Sequence, residues 1–385
     1  GSYNTAIGDI ALYVNTTGET NVAVGTAALE SNTTANGNTA VGTNSLKSNT
    51  TGVYNTAVGL SSLFSSTTAN NSVAVGTQAM NTATTASSTT ALGSAALYSL
   101  TTVDNNTAVG FNSSYSTTTG GNNSALGTYS FYTNSTGTGS VAVGHQTLYY
   151  NTTGSANTAV GKDALQKNTT GIRGTAVGHE ANFKRTTGNN TVAVGFQCLY
   201  QHTTSDNNTA VGWQAGFATT TGQANTSLGR SAGDVTTTGS YNTSIGYFAD
   251  PSSATANGNF TLGDTNVATL RCNDTSISSL SDERDKTDVV DLPHGLNFIN
   301  QTRPVKFKWE TRDGNTKDGQ INYGFIAQEL LKLGDNAEHK LVLEENPDRL
   351  EASYGNLLPI MVKAIQELSA QVTTLQAEVK TLKGE

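Results

Sequence analysis

A pentad ending in glycine recurs along this chain every 17 residues, from Asn4-Thr5-Ala6-Ile7-Gly8 through Asn21-Val22-Ala23-Val24-Gly25 to Asn259-Phe260-Thr261-Leu262-Gly263. Sixteen copies follow in strict register, without insertion or deletion. A fixed short period predicts stacked, near-identical turns rather than one globular core. A 385-residue length would otherwise suggest two or three domains. The repeat overrides that expectation and makes roughly two thirds of the chain a rod.

The columns of the repeat are strict. Counting the Asn-like position as zero, offset 2 is small (Ala6, Ala23, later Ser227, Ser244 and Thr261) and offset 3 is aliphatic (Ile7, Val24, Val41, Leu92). Offset 4 is Gly in every copy, and offset 13 is Thr from Thr17 to Thr255. Neighbouring residues of a strand face opposite sides. The expectation is therefore an inward ladder of Val, Ile and Leu, with the small residue outward where another chain packs closely. Ala11-Leu12 and Ala28-Leu29 supply a second inner layer that fades after Leu199. Glycine at offset 4 implies a tight corner with positive φ or a close backbone approach. So thin a coil buries little apolar area, which predicts an array stable as an oligomer. Turns at about 4.8 Å each give a rod of about 75 Å.

Composition narrows the function classes. Charged residues are 13%, yet the unbroken register argues for order rather than disorder. A net charge of −8 offers no basic surface for nucleic acid. No apolar run reaches a membrane span, and no signal peptide is visible. Gly1-Ser2-Tyr3-Asn4 matches Gly239-Ser240-Tyr241-Asn242, so the chain is expected to begin inside a longer array. Cys198 and Cys272 form no metal spacing and read as buried or idle thiols. His145, His179 and His202 are scattered, and the rod carboxylates Asp9, Glu19, Glu30 and Asp104 nominate no glycosidase pair. No cofactor and no metal site is expected.

The Asn-Thr-Ala-Val-Gly pattern over residues 4–263 resembles the Ser-Val-Ala-Ile-Gly repeats of trimeric adhesin heads, which have a shorter period. That resemblance implies a left-handed parallel β-roll in a three-fold bundle. The Thr column raises a rival idea, a flat ice-binding array. Its Thr-Thr-Gly context reads instead as a turn whose hydroxyls satisfy backbone groups.

Beyond Gly263 the composition changes. Residues 281–385 are rich in charge and carry Pro293, Pro304, Pro347 and Pro359. Val305-Lys306-Phe307-Lys308-Trp309 alternates like a strand, and the segment from Tyr323 to Leu330 reads as the start of a short amphipathic helix. Met361, Ile365, Leu368, Val372, Leu375, Val379 and Leu382 step by 4 and 3, a coiled-coil seam, with Pro359 in the first helical turn. The seam's β-branched and Leu alternation favours two strands, against the trimer suggested by the rod.

Ser281-Asp282-Glu283-Arg284-Asp285-Lys286, then Pro304 to Trp309, then Gly324-Phe325-Ile326-Ala327-Gln328-Glu329, Tyr354 and the terminal seam together resemble the endosialidase-type intramolecular chaperone domain. Such domains end many phage tail fibres and tailspikes. The resemblance covers about residues 275–385. It implies self-cleavage between Leu280 and Ser281, with Ser281 as nucleophile, Lys286 as general base, and Asp282 and Arg284 in support. A lysine base at neutral pH needs its pKa lowered by about 3 units from ~10.4, by burial or a neighbouring cation such as Arg284. Asp285 stands where the family carries an apolar residue, and a carboxylate there favours charged lysine and slower cleavage.

The expected organisation is a β-roll or β-solenoid rod over 1–263, a junction and distal tip over 264–280, an α+β chaperone domain over 281–353, and a coiled-coil helix over 354–385. The expected function is a homotrimeric, receptor-facing fibre of a tailed phage, assembled in the host cytoplasm and carried on the virion. Its outside partner would be a host glycan or surface protein. A cellular trimeric adhesin, a polysaccharide-acting tailspike and an ice-binding rod are the alternatives.

Overall fold

Each 17-residue repeat contains a single three-residue strand, and the rest of the turn is bends. Strands β1 (Thr5–Ile7) to β16 (Phe260–Leu262) form one 16-stranded parallel sheet in sequence order. The computed structural model describes residues 1–264, 266–267, 270–271, 281–308, 321–334, 336–344 and 350–384. They fall in two units, Gly1–Asp264 and Thr265–Glu385. Every strand pairs one repeat ahead, as in Thr158↔Thr175, Ala159↔Ala176 and Val160↔Val177. The first unit is thus a parallel β-solenoid, and the chain is mainly β as expected.

The strand faces are reversed from the expectation. The small residue at offset 2 points inward: Ala23, Ala40, Ala57 and Ala142 are fully buried. The aliphatic residue at offset 3 points outward and stays half-exposed, with Leu126 49% and Leu228 47% accessible. The reason is the width of the coil. The strand wall faces the column of Leu29, Leu46, Leu63, Met80 and Leu97 at offset 8. Gly216 occupies that column later, and a Cβ placed there would lie 3.6 Å from the Ala210 Cβ. Two large side chains do not fit across such a gap. The recurring small residue is therefore set by the chain's own interior and gives no evidence of a neighbouring chain.

The core leucines sit in left-handed backbone, for example Leu46 at φ 47° and Leu165 at φ 50°. That conformation costs about 1–2 kcal/mol per residue. Burying the side chain returns about 1.5–3 kcal/mol, so burial wins. After Leu199 the column passes to Gly216, Gly233 and Asp250, matching the expected fading of the layer.

The remaining interior is polar and largely laddered, with a few buried atoms such as Asn106 Nδ2 left without a partner. Asn38 Oδ1 accepts from the Asn55 amide at 2.9 Å, and Asn38 Nδ2 donates to the Gly52 carbonyl at 2.8 Å. A second amide column runs Asn32, Asn49 at 3.0 Å and Asn151, Asn168 at 2.6 Å. The Thr column at offset 13 is exposed throughout. The hydroxyl ladder belongs to the preceding residue, as in Thr50 Oγ1 donating to Thr67 O at 3.1 Å. Glycine at offset 4 meets both expected demands. Gly127 has φ 137°, and a Cβ there would sit 2.4 Å from the Gly144 carbonyl oxygen.

Other residues enter both columns, such as Ser72, Thr89 and Thr117, and the largest of them is an arginine. Arg185 fills an Asn position of the second column and is fully buried. It donates to the Gly188 and Ile172 carbonyls and to Thr191 Oγ1 and Asn157 Oδ1. The pentad begins with Gly174 there, because any Cβ would lie 1.6 Å from Arg185 Nη1.

The second unit is α+β. Helix α1 (Leu296–Ile299) precedes an antiparallel pair, β17 (Val305–Phe307) with β18 (Asn322–Gly324). Helices α2 (Ala327–Leu330) and α3 (Asn336–His339) follow, then β19 (Val342–Leu343) with β20 (Glu351–Ala352), then α4 (Leu357–Lys383). Tyr323 and Gly324 thus belong to a strand, and the short helix begins at Ala327. Trp309 lies outside the described residues. Phe298, Leu330, Leu341, Val342, Leu357 and Ile360 form the core. The seam of α4 faces solvent in the single chain, with Ile365 64% and Leu375 58% accessible.

The reversed faces give a direct test. Ala142→Leu is expected to destabilise the rod by about 1–3 kcal/mol through overpacking, while Val143→Ala costs under about 1 kcal/mol. Urea melts of the two variants check this, and equal losses would contradict the inward assignment of alanine.

Candidate functional site

The strongest chemical constellation is built by six consecutive residues. Asp282 caps a short 3-10 turn over Glu283–Asp285, its carboxylate accepting from the Arg284 amide at 2.9 Å. The Arg284 side chain folds back on the same carboxylate, with Nε at 3.0 Å and Nη2 at 2.6 Å. This fork of bonds holds the Asp282 carboxyl below the usual range. The turn brings Lys286 beside the start of the segment. Its Nζ donates to Ser281 Oγ at 2.6 Å and lies 3.3 Å from the Ser281 carbonyl oxygen.

Ser281 and Lys286, nominated as a pair, are therefore in hydrogen-bond contact, within nucleophile–base reach. Arg284 is committed to Asp282 rather than to the lysine. Residues 281–290 are all exposed in the single chain. Leu280, the proposed residue before the scissile bond, lies outside the described residues, as does Cys272.

The other motif residues hold the domain together. Gly324 leaves room for Tyr354: a Cβ there would lie 2.5 Å from the Tyr354 hydroxyl. That hydroxyl accepts from the Phe325 amide at 3.3 Å, and the two rings meet edge-on at 5.6 Å. Glu329 takes a two-pronged ion pair from Arg303, just before Pro304. Glu367 of α4 accepts from the Leu296 amide at 2.7 Å and so ties the long helix to α1.

The groups with the most displaced ionisation lie elsewhere, inside the rod. Burial pushes the Cys198 thiol up to about 12, so it is inert as a nucleophile. Burial, with Arg185 nearby, brings His202 down to about 4, so it stays neutral. Asp250, in the leucine column, is raised to about 7 by burial and then by the Asp234 charge. Sequence reasoning passed over two further features. Asp163 and Glu180 occupy the same offset in successive repeats beside His179, and register arithmetic alone reveals it. His294, Glu338 and His339 also cluster, though 44 residues separate His294 from Glu338, and no spacing signals them.

A family model for the chaperone of endosialidase matches residues 281–338. The match starts at Ser281 itself. Neither the curated proteins nor the solved structures contain a match to the chain. The C-terminal unit thus carries a chaperone-of-endosialidase domain behind a β-solenoid rod.

The Asp250 carboxyl predicts a pH response. Its folded pKa lies above the unfolded value near 3.9, so the folded state holds the proton more tightly. The penalty is absent below about pH 4, grows as pH rises, and is complete above about 7. Asp250→Asn is expected to raise the melting temperature by a few degrees at pH 8 and to leave it unchanged at pH 4. An equal effect at both pH values would place the cause elsewhere.

Proposed function

We propose that this chain is a receptor-facing fibre of a tailed bacteriophage, built as a homotrimer, whose chaperone domain aligns the chains and is released by one self-cleavage between Leu280 and Ser281. The observation that carries the reading is the 2.6 Å contact of Lys286 Nζ with Ser281 Oγ at the first residue of the matched domain.

The chemistry follows from the position of Ser281 directly after the scissile bond. Its hydroxyl attacks the Leu280 carbonyl carbon while neutral Lys286 takes the proton. The tetrahedral adduct collapses with loss of the Leu280–Ser281 C–N bond, and the lysine returns its proton to the departing Ser281 amine. Leu280 is then held as an ester on Ser281 Oγ. Water hydrolyses that ester, giving a rod ending in the Leu280 carboxylate and a free chaperone domain. The lysine has to be neutral for the first step, which desolvation favours. In the single chain the dyad is exposed. Burial by partner chains would activate it, which ties cleavage to completed assembly.

The physical need for such a domain lies in the rod. Strands that match at every 17-residue shift are degenerate in register between chains. The exposed apolar seam of α4 is suited to fix alignment before the rods associate. The outward Val, Ile and Leu row then offers each rod an apolar face for its neighbours. Loss of the tether afterwards makes the assembly kinetically irreversible. Residues 264–280 become the distal end, and the receptor is a glycan or protein on the host surface.

Denaturing gels of the wild type beside Ser281→Ala and Lys286→Ala test the cleavage. The wild type is expected to yield two fragments, the smaller beginning Ser-Asp-Glu-Arg on N-terminal sequencing, while both variants stay whole. A single full-length band in all three lanes defeats the proposal. Removing the carboxylate next to the base gives a further check: in a pulse-chase comparison Asp285→Leu is expected to cleave faster than the wild type.

A further inference from the structure

The rod carries a column of side chains at offset 6 in which amides give way to two acids. Gln146, Asp163, Glu180, Gln197 and Gln214 follow one another in successive turns. On one side, Gln214 donates to Gln197 Oε1 at 2.8 Å and Gln197 donates to Glu180 Oε2 at 2.7 Å. On the other, the Gln166 amide lies 3.0 Å from Gln146 Oε1 and donates to Asp163 Oδ1 at 2.8 Å. Each carboxylate thus accepts from a glutamine amide, and the two carboxylates lie close together across one turn.

Stacked like charges repel, more so where water is scarce. The Asp163 side chain is only 10% accessible and that of Glu180 22%. Lys162 lies 3.6 Å from Asp163 and offsets one charge. The remaining neighbour is His179. Its ring stacks on Phe196 at 5.5 Å, which aims Nδ1 at the acids, 3.8 Å from Glu180 Oε2. That nitrogen is buried and makes no hydrogen bond, a state that calls for a partner. The ligand atoms of Asp163, His179 and Glu180 all lie within 4.8 Å of one another.

We propose that Asp163, His179 and Glu180 form a divalent transition-metal site in the wall of the rod. One imidazole nitrogen and two carboxylate oxygens are a borderline donor set suited to zinc or cobalt. Water completes the coordination. The Gln166 and Gln197 amides orient the carboxylates, as outer partners of metal ligands do. The ion would clamp two successive turns and remove the repulsion between them. This site stands apart from the Ser281/Lys286 chemistry and holds whether or not the chain cleaves itself.

The column itself supplies variants that keep the fold. Glu180→Gln extends the amide run already present at Gln146, Gln197 and Gln214. His179→Phe places in its column the residue found one turn later at Phe196. Tag-free full chain, stripped with EDTA and dialysed, is titrated with cobalt(II) and zinc(II), with bound metal counted by mass spectrometry. Each variant is expected to bind one equivalent fewer per chain, or to bind that equivalent at least tenfold more weakly. Zinc is expected to raise the melting temperature of the wild-type rod and not that of Glu180→Gln. A wild-type chain that binds no metal overturns the proposal. So do variants that keep wild-type stoichiometry and affinity, because Lys162 and the glutamines then suffice as partners of the acids.

Discussion

Everything in the rod depends on backbone contact between residue i and residue i+17. The glycines at offset 4 set how close successive turns come: in Gly127 the absent side chain leaves the Gly144 carbonyl where a Cβ would otherwise be. That approach lets the strands hydrogen-bond in strict sequence order and lets every side chain lie on its own copy one turn away. Columns of like residues then interact as ladders. Asn columns bond amide to amide, and aromatic columns stack, as in Tyr98–Tyr115 at 5.0 Å and Phe183–Tyr200 at 5.2 Å. The same logic makes a column of acids costly, which singles out the step from Asp163 to Glu180.

The interior shows how a thin coil is stabilised. A 17-residue turn encloses too little space for two walls of large side chains, so Leu faces Ala and the remaining room goes to Asn. Buried amides are costly unless bonded, and the ladder bonds them to the next turn. Substitutions inside this scheme come in compensating groups. Arg185 enters an Asn position, and Gly174 loses the side chain that would collide with it. Asn182 replaces a core leucine and lies 3.0 Å from His202 Nδ1.

Stability and chemistry occupy different parts of the molecule. The rod holds the groups with the most displaced ionisation, and two of them, Cys198 and His202, are sealed into a packed interior. The Ser281–Lys286 pair lies in a strand-free, exposed segment whose geometry is purely local. Asp282 caps the turn and captures Arg284, and the lysine falls beside the serine. An exposed dyad of this kind is a poor general catalyst. Under the proposed function it suits a reaction performed once, in a neighbourhood completed by other chains.

The sequence by itself determined the period, the extent of the rod, the glycine corners, the second Ala-Leu layer and its fading, because each is a property of registered columns. It nominated Ser281 and Lys286 only through the resemblance to the chaperone domain, since their spacing alone is a weak signal; the local turn brings the two side chains into hydrogen-bond contact. The direction of the strand faces was not legible. Alternation says that Ala and Val point opposite ways, but only the gap between the two walls of the coil decides that Ala is inside. The contacts of Gly324 with Tyr354 and of Glu367 with Leu296 were likewise out of reach. They join segments tens of residues apart through packing that no local spacing encodes. The column shared by Asp163 and Glu180 follows from the register. Only the tertiary structure decided that His294 meets Glu338 and His339 and which nitrogen the stacked His179 ring turns toward the acids, because both depend on packing that no local spacing encodes.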